Sequence, residues 1–187
     1  MIQFFKSLQI LSDKDLQIME GLPISKTLKK GTFLIQEGKI CNEIAFIQSG
    51  ILRSFYINNE GDEITTCITF ENQLMSAFSS FITQKPTEEN IQAIMDTELL
   101  ILKRSDMDML YEKSSAWQKV GKYLTEMQYV EMEQRIVSFQ KHTAKQRYET
   151  LIEQHSNYLK YIPLQFLATY LGITPRHLSR LRKEISL

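Results

Sequence analysis

Residues 162–185 read IPLQFLATYLGITPRHLSRLRKEI, and this stretch contains two short helical patterns separated by a turn. Pro163 suits the first turn of a helix, because the first N–H groups of a helix have no partner within it. Gly172 supplies the left-handed backbone that a sharp turn after a helix needs. Thr174 is a favourable N-cap, and Pro175 fits the first position of a second helix. The stretch therefore predicts two helices that cross steeply around a tight turn.

The two predicted helices have an apolar inner face and a basic outer face. Ala168 is small where the helices approach each other. The other inner residues are Leu164, Leu167, Leu171, Ile173, Leu178, Leu181 and Ile185. The outer face of the second helix carries Arg176, Ser179, Arg180 and Lys183. At about 100° per residue, its three cations share one narrow sector.

A helix with such a basic stripe has the dimensions to enter the major groove of DNA. There an Arg can bind guanine through two hydrogen bonds, while Ser and Lys suit contacts to phosphate or to both phosphate and bases. An ordinary helical hairpin whose basic face is only solvated is the alternative interpretation of the same pattern.

Residues 26–70 consist of short runs rich in Ile, Phe, Thr and Tyr, separated by Gly31, Gly38, Gly50 and Gly61. Strand-like runs that are separated by glycines predict a series of antiparallel hairpins. Two more strands, 91–97 and 99–103, follow a polar stretch, with no helical pattern between them. This order favours an antiparallel jelly roll and an α+β fold class. Ser12, followed three residues later by Asp15, predicts a short capped helix ahead of the first strand.

A helical period begins near Ser105 and runs to about Gln140. One stripe of this helix carries Trp117, Val120, Leu124 and Met127. It is broadened by Tyr123, Val130 and Val137. Two interpretations are open, because the stripe either covers the sandwich of its own chain or forms the seam of a dimer.

The chain has 187 residues, of which 43% are hydrophobic and 24% charged, as is typical of a folded globular protein. Its net charge of zero hides an asymmetry. Residues 1–111 contain ten basic and fifteen acidic side chains, whereas residues 141–187 contain eight basic and three acidic ones. An acidic body with a basic tail is expected when one end of a chain meets a polyanion. We predict three segments: a sensor jelly roll (1–111), a connecting and dimerisation helix (112–140) and a helix-turn-helix domain (141–187).

The composition disfavours metal enzymes, iron–sulfur proteins and membrane proteins. Cys41 and Cys67 are too few for a four-thiolate site within one chain. Residues 1–111 contain no histidine, the commonest ligand of metal-binding jelly-roll enzymes. No apolar run is long enough for a membrane helix, and the N-terminus lacks the pattern of a secretory signal. We therefore expect a cytoplasmic protein that is not an enzyme and uses no cofactor or metal.

In this combination the chain resembles the cyclic-AMP receptor protein and fumarate-nitrate regulator (CRP/FNR) family of bacterial transcription factors. The blocks QEGK (36–39) and IAFIQSGILRSFY (44–56) look like the sensor sandwich of that family. The resemblance implies a homodimer, formed through the long helix, that binds a roughly palindromic operator in double-stranded DNA, with RNA polymerase as a further partner. It places Thr174, Arg176, Ser179, Arg180 and Lys183 at groove-facing positions. Additional phosphate contacts would come from Lys141, Lys145, Arg147 or Lys160.

The chain departs from the family at the sites that bind cyclic AMP. Members that bind this nucleotide hold its phosphate with a Gly-Glu pair and an Arg, and the aligned positions here are Ser76, Ala77 and Glu88. Loss of the Arg removes the charge-assisted phosphate contact, and Glu88 beside Glu89 repels an anion. We therefore predict a degenerate effector cassette that does not bind cyclic AMP, and the effector is not identified by the sequence.

The sequence thus predicts a homodimeric, sequence-specific DNA-binding regulator of the CRP/FNR type. The alternative from another class is a small-ligand sensor whose helical tail docks a protein and does not bind DNA.

Overall fold

Two antiparallel sheets form a sandwich in the N-terminal part of the computed structural model. The structure describes residues 1–185, apart from the side chains at positions 157 and 158, so the last two residues of the predicted segment 141–187 lie outside it. The strands are β1 (Ile24–Leu28), β2 (Phe33–Ile35), β3 (Glu43–Ser49), β4 (Leu52–Ile57), β5 (Glu63–Thr69), β6 (Leu74–Met75), β7 (Asn90–Ala93) and β8 (Thr97–Lys103). The helices are α1 (Ile2–Ser7), α2 (Asp13–Met19), α3 (Phe78–Thr83), α4 (Arg104–Lys113), α5 (Ser115–Lys141), α6 (Ala144–Leu159), α7 (Leu164–Tyr170) and α8 (Pro175–Ile185).

One sheet has the order β1-β8-β3-β6 and the other the order β2-β7-β4-β5, with every pair antiparallel. The inner faces of the two sheets meet in a core that includes Ile47, Leu52, Ile91 and Leu99, all fully buried. A sandwich of hairpins followed by helices confirms the predicted α+β class.

The predicted N-terminal capped helix is confirmed as α2. Ser12 and Asp15 form a capping box, in which each side chain binds the backbone N–H of the other residue. Asp15 also holds the start of α5, because its carboxylate accepts a hydrogen bond of 2.6 Å from Ser114 Oγ. The backbone oxygen of Asp15 accepts a second bond, of 3.1 Å, from the indole Nε1 of Trp117.

The single helix predicted from about Ser105 to Gln140 is wrong in one respect, because the chain breaks it at Ser114. That residue is extended, with φ −151° and ψ 125°, and separates α4 from α5. Its Oγ accepts a hydrogen bond of 3.2 Å from the N–H of Ala116 and so caps α5. The start of α5 nevertheless packs against α4, where Gln118 Nε2 donates a hydrogen bond of 2.8 Å to the carbonyl oxygen of Tyr111. Helix α5 has 27 residues and ends at Lys141.

The structure also corrects the stripe that was predicted for this helix. Trp117 and Val120 are fully buried in the core of their own sandwich, and Leu124 packs against its edge. Met127, one turn further on, is 41% exposed. The first of the two interpretations therefore applies to the start of α5, and Trp117 and Val120 are removed from the predicted dimer seam because they have no surface left to offer a second chain.

The last three helices cover the outer face of the β2-β7-β4-β5 sheet. A second apolar cluster joins Ile51, Ile68, Phe70 and Ile94 of the sandwich to the buried side chains of α6, α7 and α8. Helix α7 lies against β5. This sheet is consequently packed on both faces, on one side by the sandwich core and on the other by the helix-turn-helix.

Replacement of Asp15 by Asn should lower the free energy of unfolding by about 1 kcal/mol at pH 7, because the charged acceptor of the hydrogen bonds from Ser12 and Ser114 becomes neutral. Hydrogen bonds from Ser114 and Ser12 lower the pKa of Asp15 below its ordinary value. The stabilisation is therefore present at neutral pH and is lost as the pH falls through the folded-state pKa. Urea unfolding of both proteins between pH 7 and pH 2 measures this difference.

The matched control is Asp13→Asn, which removes an acid from the same turn. Asp13 is exposed, and its carboxylate lies 3.7 Å from Nζ of Lys6, which is exposed as well. Because an ion pair on the surface contributes little to stability, the loss of Asp13 should change the free energy of unfolding little. A penalty for Asp15→Asn that stays constant down to pH 2 would contradict the assigned role of the carboxylate.

Candidate nucleic-acid interface

The turn between α7 and α8 has the geometry that its sequence predicts. Helix α7 ends in an αR residue, Leu171, and Gly172 follows with φ +68°. The N–H groups of Gly172 and Ile173 then bind the carbonyl oxygens of Thr169 and Ala168, both at 3.0 Å, which closes the helix end. Pro163 is the N-cap of α7 rather than its first helical residue.

Gly172 is required at this turn for a second reason, which is a close approach. A Cβ atom at position 172 would lie 2.6 Å from Cε1 of Phe139, near the end of α5. A positive φ and this contact together leave room only for glycine. The turn is therefore packed against α5 as well as against the sandwich.

Helix α8 begins as predicted, with Thr174 capping it and Pro175 in the first position. The Oγ1 of Thr174 accepts a hydrogen bond of 3.2 Å from the N–H of His177. On the inner face, Leu178 and Leu181 are buried, and Ile185 is half-buried. These contacts fix the rotation of α8 about its own axis.

The outer face of α8 presents its cations to solvent. Arg176, Arg180 and Lys183 are all exposed, as is Thr174, and Ser179 is half-buried. Within residues 1–185, the three cationic side chains form no ion pair and no hydrogen bond. The inner packing of Leu178 and Leu181 thus leaves these side chains together on one free face.

Two arginines from the preceding helices bind the C-terminal end of α7. Arg135 donates a hydrogen bond of 3.0 Å to the carbonyl oxygen of Tyr170, and Arg147 donates two, of 2.8 and 3.2 Å, to that of Leu171. Both guanidinium groups lie over the ring of Phe139, at 4.9 and 4.8 Å from its centre. The last carbonyls of a helix lack partners and carry partial negative charge, so cations stabilise them.

Sequence reasoning missed Arg135, and it gave Arg147 as one of four candidates for additional phosphate contacts. In the structure the donors of Arg147 are occupied by the carbonyl oxygens of Leu171 and of His142, the latter at 2.6 Å. A positive residue near a helix end gives no signal of which carbonyl it will bind, because that depends on the fold of residues about 25 positions away.

The four predicted cassette residues lie around α3 and the loop that follows it. Ser76 Oγ donates to the carbonyl oxygen of Glu43 at 2.9 Å, and Ala77 is fully buried at the N-cap of α3. Glu88 is exposed, whereas Glu89 is half-buried and accepts a hydrogen bond from Ser54 Oγ in β4. Burial raises the pKa of Glu89, and its bond to Ser54 opposes that change. The cassette thus presents a carboxylate inward and no cation.

A cavity of about 370 Å³ lies next to this cassette. The residues that line it include Ala77, Ile91, Lys26 and Lys39. The ammonium group of Lys26 is bound to Glu43 at 3.1 Å. Of the described residues, no group of three or more His, Cys, Asp or Glu is arranged to hold a metal ion. None of the helices in residues 1–185 combines the length and apolar character that crossing a membrane demands.

The comparisons with known proteins agree with this architecture of a sandwich, a long helix and a helix-turn-helix. Residues 25–114 match the sequence model of the cyclic nucleotide-binding domain family. The solved structure of FixK2 from Bradyrhizobium japonicum has a TM-score of 0.77, with 16% identity over 88% of this chain and 84% of that one. A transcriptional regulator of the CRP/FNR family from Eubacterium rectale has a TM-score of 0.73, with 22% identity over 98% of this chain and 88% of that one.

A curated relative is the anaerobic regulatory protein of Bacillus subtilis, which is 21% identical over 103 residues. The match includes 52% of this chain and 43% of the relative, so the chain spans less than half of that protein's length. The class of protein is thus a cyclic nucleotide-binding-type sandwich joined to a helix-turn-helix. The chain has the fold of the CRP/FNR regulators, and the resemblance to the CRP/FNR family is confirmed.

Proposed function

We propose that the chain is a homodimeric transcription regulator that binds specific DNA sequences through α8. The observation that carries the proposal is the free basic face of this helix, on which Arg176, Arg180 and Lys183 are exposed while the opposite face is buried. A rigid helix with its cations on one side fits the major groove, which admits one α-helix. The basic excess of residues 141–187 supports the same partner.

Individual roles follow from the chemistry of each side chain. Arg176 and Arg180 suit bidentate hydrogen bonds to guanine, whereas Lys183 suits phosphate as a point charge. Thr174 and Ser179 are short hydroxyl side chains at the start and middle of the helix, and they suit contacts to the DNA backbone. Two such helices related by a two-fold axis would contact half-sites about one helical turn apart, so the operator is roughly palindromic. RNA polymerase is the protein partner that this role implies.

The dimer is proposed to form through the exposed part of α5. Beyond the sandwich, this helix carries a row of half-exposed apolar side chains with the spacing of a coiled-coil seam: Tyr123, Met127, Val130 and Val137. Met127 is 41% exposed and Val130 38%, and no element within residues 1–185 covers them. A row of this size is expected to be buried against a partner, and a second copy of α5 supplies the complementary row. Of the residues assigned to the seam from the sequence, the proposed seam includes Met127, with Leu124 at its edge.

The sandwich is proposed to be the sensing domain (1–111), linked by the helix of segment 112–140 to the DNA-binding domain (141–187). We propose that it does not bind cyclic AMP, since Ser76, Ala77 and Glu88 offer no cation for a phosphate and Glu89 adds a carboxylate. The relatives are regulators and not enzymes, which supports a binding role without catalysis. Such a role places the protein in the bacterial cytoplasm, where the DNA is.

DNA binding is tested by selection from a randomised duplex pool, followed by titration of the recovered duplex. Arg180→Ala should reduce the binding free energy by about 1–3 kcal/mol and relax specificity at one base pair. Lys183→Ala should weaken binding to all sequences alike and lower the salt dependence by about one phosphate contact. Lys122→Ala is the control, because Lys122 is an exposed cation on α5.

Recovery of no enriched duplex would contradict the proposed function and favour the protein-docking alternative. If Arg180→Ala and Lys183→Ala both reduced the affinity for every duplex by the same factor, base recognition by Arg180 would be contradicted.

The dimer is tested with Met127→Glu combined with Val130→Glu, which places two charges in the proposed seam. Sedimentation equilibrium should show a dimer for the wild type and a monomer for the variant, because burial of unpaired carboxylates is unfavourable. The control is Lys122→Glu, which adds the same charge elsewhere on the helix. A monomeric wild type, or a variant that stays dimeric, would contradict the seam.

Cyclic AMP binding is tested by calorimetric titration of the full chain. We expect no binding heat at nucleotide concentrations up to the millimolar range, because the cassette has no partner for the phosphate. Binding in the micromolar range would show that the cassette is functional and that the assignment of Ser76, Ala77 and Glu88 is wrong.

A further inference from the structure

A buried arginine lies between the sandwich and the helix-turn-helix. Arg53 lies in β4 opposite Gln92 and Ile68, on the outer face of its sheet. Its side chain is only 1% exposed, although an outward-facing residue of a free sheet would be in water. Helix α7 covers it, so the burial of Arg53 depends on the docking of the DNA-binding domain.

The guanidinium group of Arg53 is held between two aromatic rings from different domains. The ring of Phe55 on its own strand is 3.9 Å from the central carbon, and that of Phe166 in α7 is 3.3 Å from it. In the plane of the group, one nitrogen donates to Glu63 and to Gln92, the latter at 3.0 Å. Stacking on both faces and bonding at the edge fix Phe166 in one position over the sheet.

Burial of the Arg53 guanidinium group costs desolvation free energy, which burial of an apolar side chain would not. The Nε and one terminal nitrogen of Arg53 are buried without a hydrogen-bond partner, and burial lowers the pKa of its guanidinium group. Buried charges with incomplete partners contribute little to stability, and their best-supported role is to select one packing arrangement over others. The apolar cluster around Arg53 is non-directional, whereas the stacked guanidinium is directional.

Two further directional contacts restrain the same helix. The N–H of Thr65 in β5 donates to Thr169 Oγ1 at 3.2 Å, and that hydroxyl donates to Thr65 Oγ1 at 3.0 Å. At the C-terminal end, Arg135 of α5 binds the carbonyl oxygen of Tyr170 at 3.0 Å. Contacts from β4, β5 and α5 thus reach α7 at Phe166, Thr169 and Tyr170, so three different elements restrain this short helix. Helix α8 follows α7 through one tight turn, so it is restrained as well.

We infer that Arg53, through Phe166, is a positioning residue that sets the orientation of α8 relative to α5 and therefore the half-site spacing that the dimer recognises. The inference rests on the proposed function. In a dimer that forms through α5, the distance between the two copies of α8 depends on how each α8 is held against the rest of its own chain. When each α8 is held rigidly, binding at one half-site brings the other helix to the second half-site at high effective concentration. A loosely held α8 would bind a single half-site as well as a rigidly held one. It would lose the additional affinity that comes from binding both half-sites at once.

The test compares wild type, Arg53→Met and Thr169→Val on two measurements. Hydrogen exchange of the amides of α7 and of Thr65 reports docking without DNA, and both variants should exchange at least tenfold faster there. Affinity is then measured for duplexes that carry two copies of the selected half-site, with the spacing varied one base pair at a time, and for a duplex with one half-site. Both variants should lose about tenfold in affinity for the duplex with the best spacing, and their affinity should depend less sharply on the spacing. Their affinity for the duplex with one half-site should stay within twofold of wild type.

Arg104→Met is the matched control, because Arg104 also lies over a ring, that of Phe81 at 5.6 Å. Phe81 belongs to the core cluster of the sandwich, whereas the buried side chains of α7 belong to the second cluster. The Arg104→Met variant should keep the wild-type exchange and spacing profile. An unchanged spacing profile in Arg53→Met and Thr169→Val would overturn the inference while DNA binding by the wild type stands. A wild type that binds no duplex would overturn the proposed function and the inference with it, and the exchange measurement would then report the docking contact alone. Thr169→Val keeps the shape of the side chain and so tests docking even where Arg53→Met does not fold.

Discussion

The β2-β7-β4-β5 sheet is packed on both faces, and the rest of the molecule depends on this constraint. Its inner face closes the sandwich, and its outer face carries the apolar cluster and the Arg53 contact that hold α7. Because α7 is held there and packs against α8, the inner side of α8 is fixed. Its cationic side is the one that faces solvent. The free basic face is thus a consequence of how one sheet is covered.

Much of this fold could be predicted from local sequence signals. Gly172, Thr174 and Pro175 each satisfy a backbone requirement within a few residues, so they predicted the turn and the start of α8 correctly. Ser12 and Asp15 did the same for α2. Periodicity predicted which side of α8 is buried, because that choice depends only on the apolar residues of the helix itself.

Features that depend on distant partners could not be predicted in this way. Periodicity identified an apolar stripe on α5 but could not show where the sandwich ends, so Trp117 and Val120 were grouped with Met127. The break at Ser114 depends on its bond to Asp15, which is 99 residues away in the chain. Arg53 had no signal at all, since an arginine in a strand is ordinarily solvated and only the docking of Phe166 buries it. In each case a tertiary contact decided between alternatives that the local sequence left open.

The central claim is that two copies of the chain present two basic helices to one DNA duplex. It is tested most directly by sequencing the genomic fragments that the purified protein retains at physiological salt. The account predicts an enriched motif with two-fold symmetry and half-sites about 10 base pairs apart, centre to centre. Retention of fragments without a shared motif, or no retention above that of the Arg176→Ala, Arg180→Ala double variant, would contradict it.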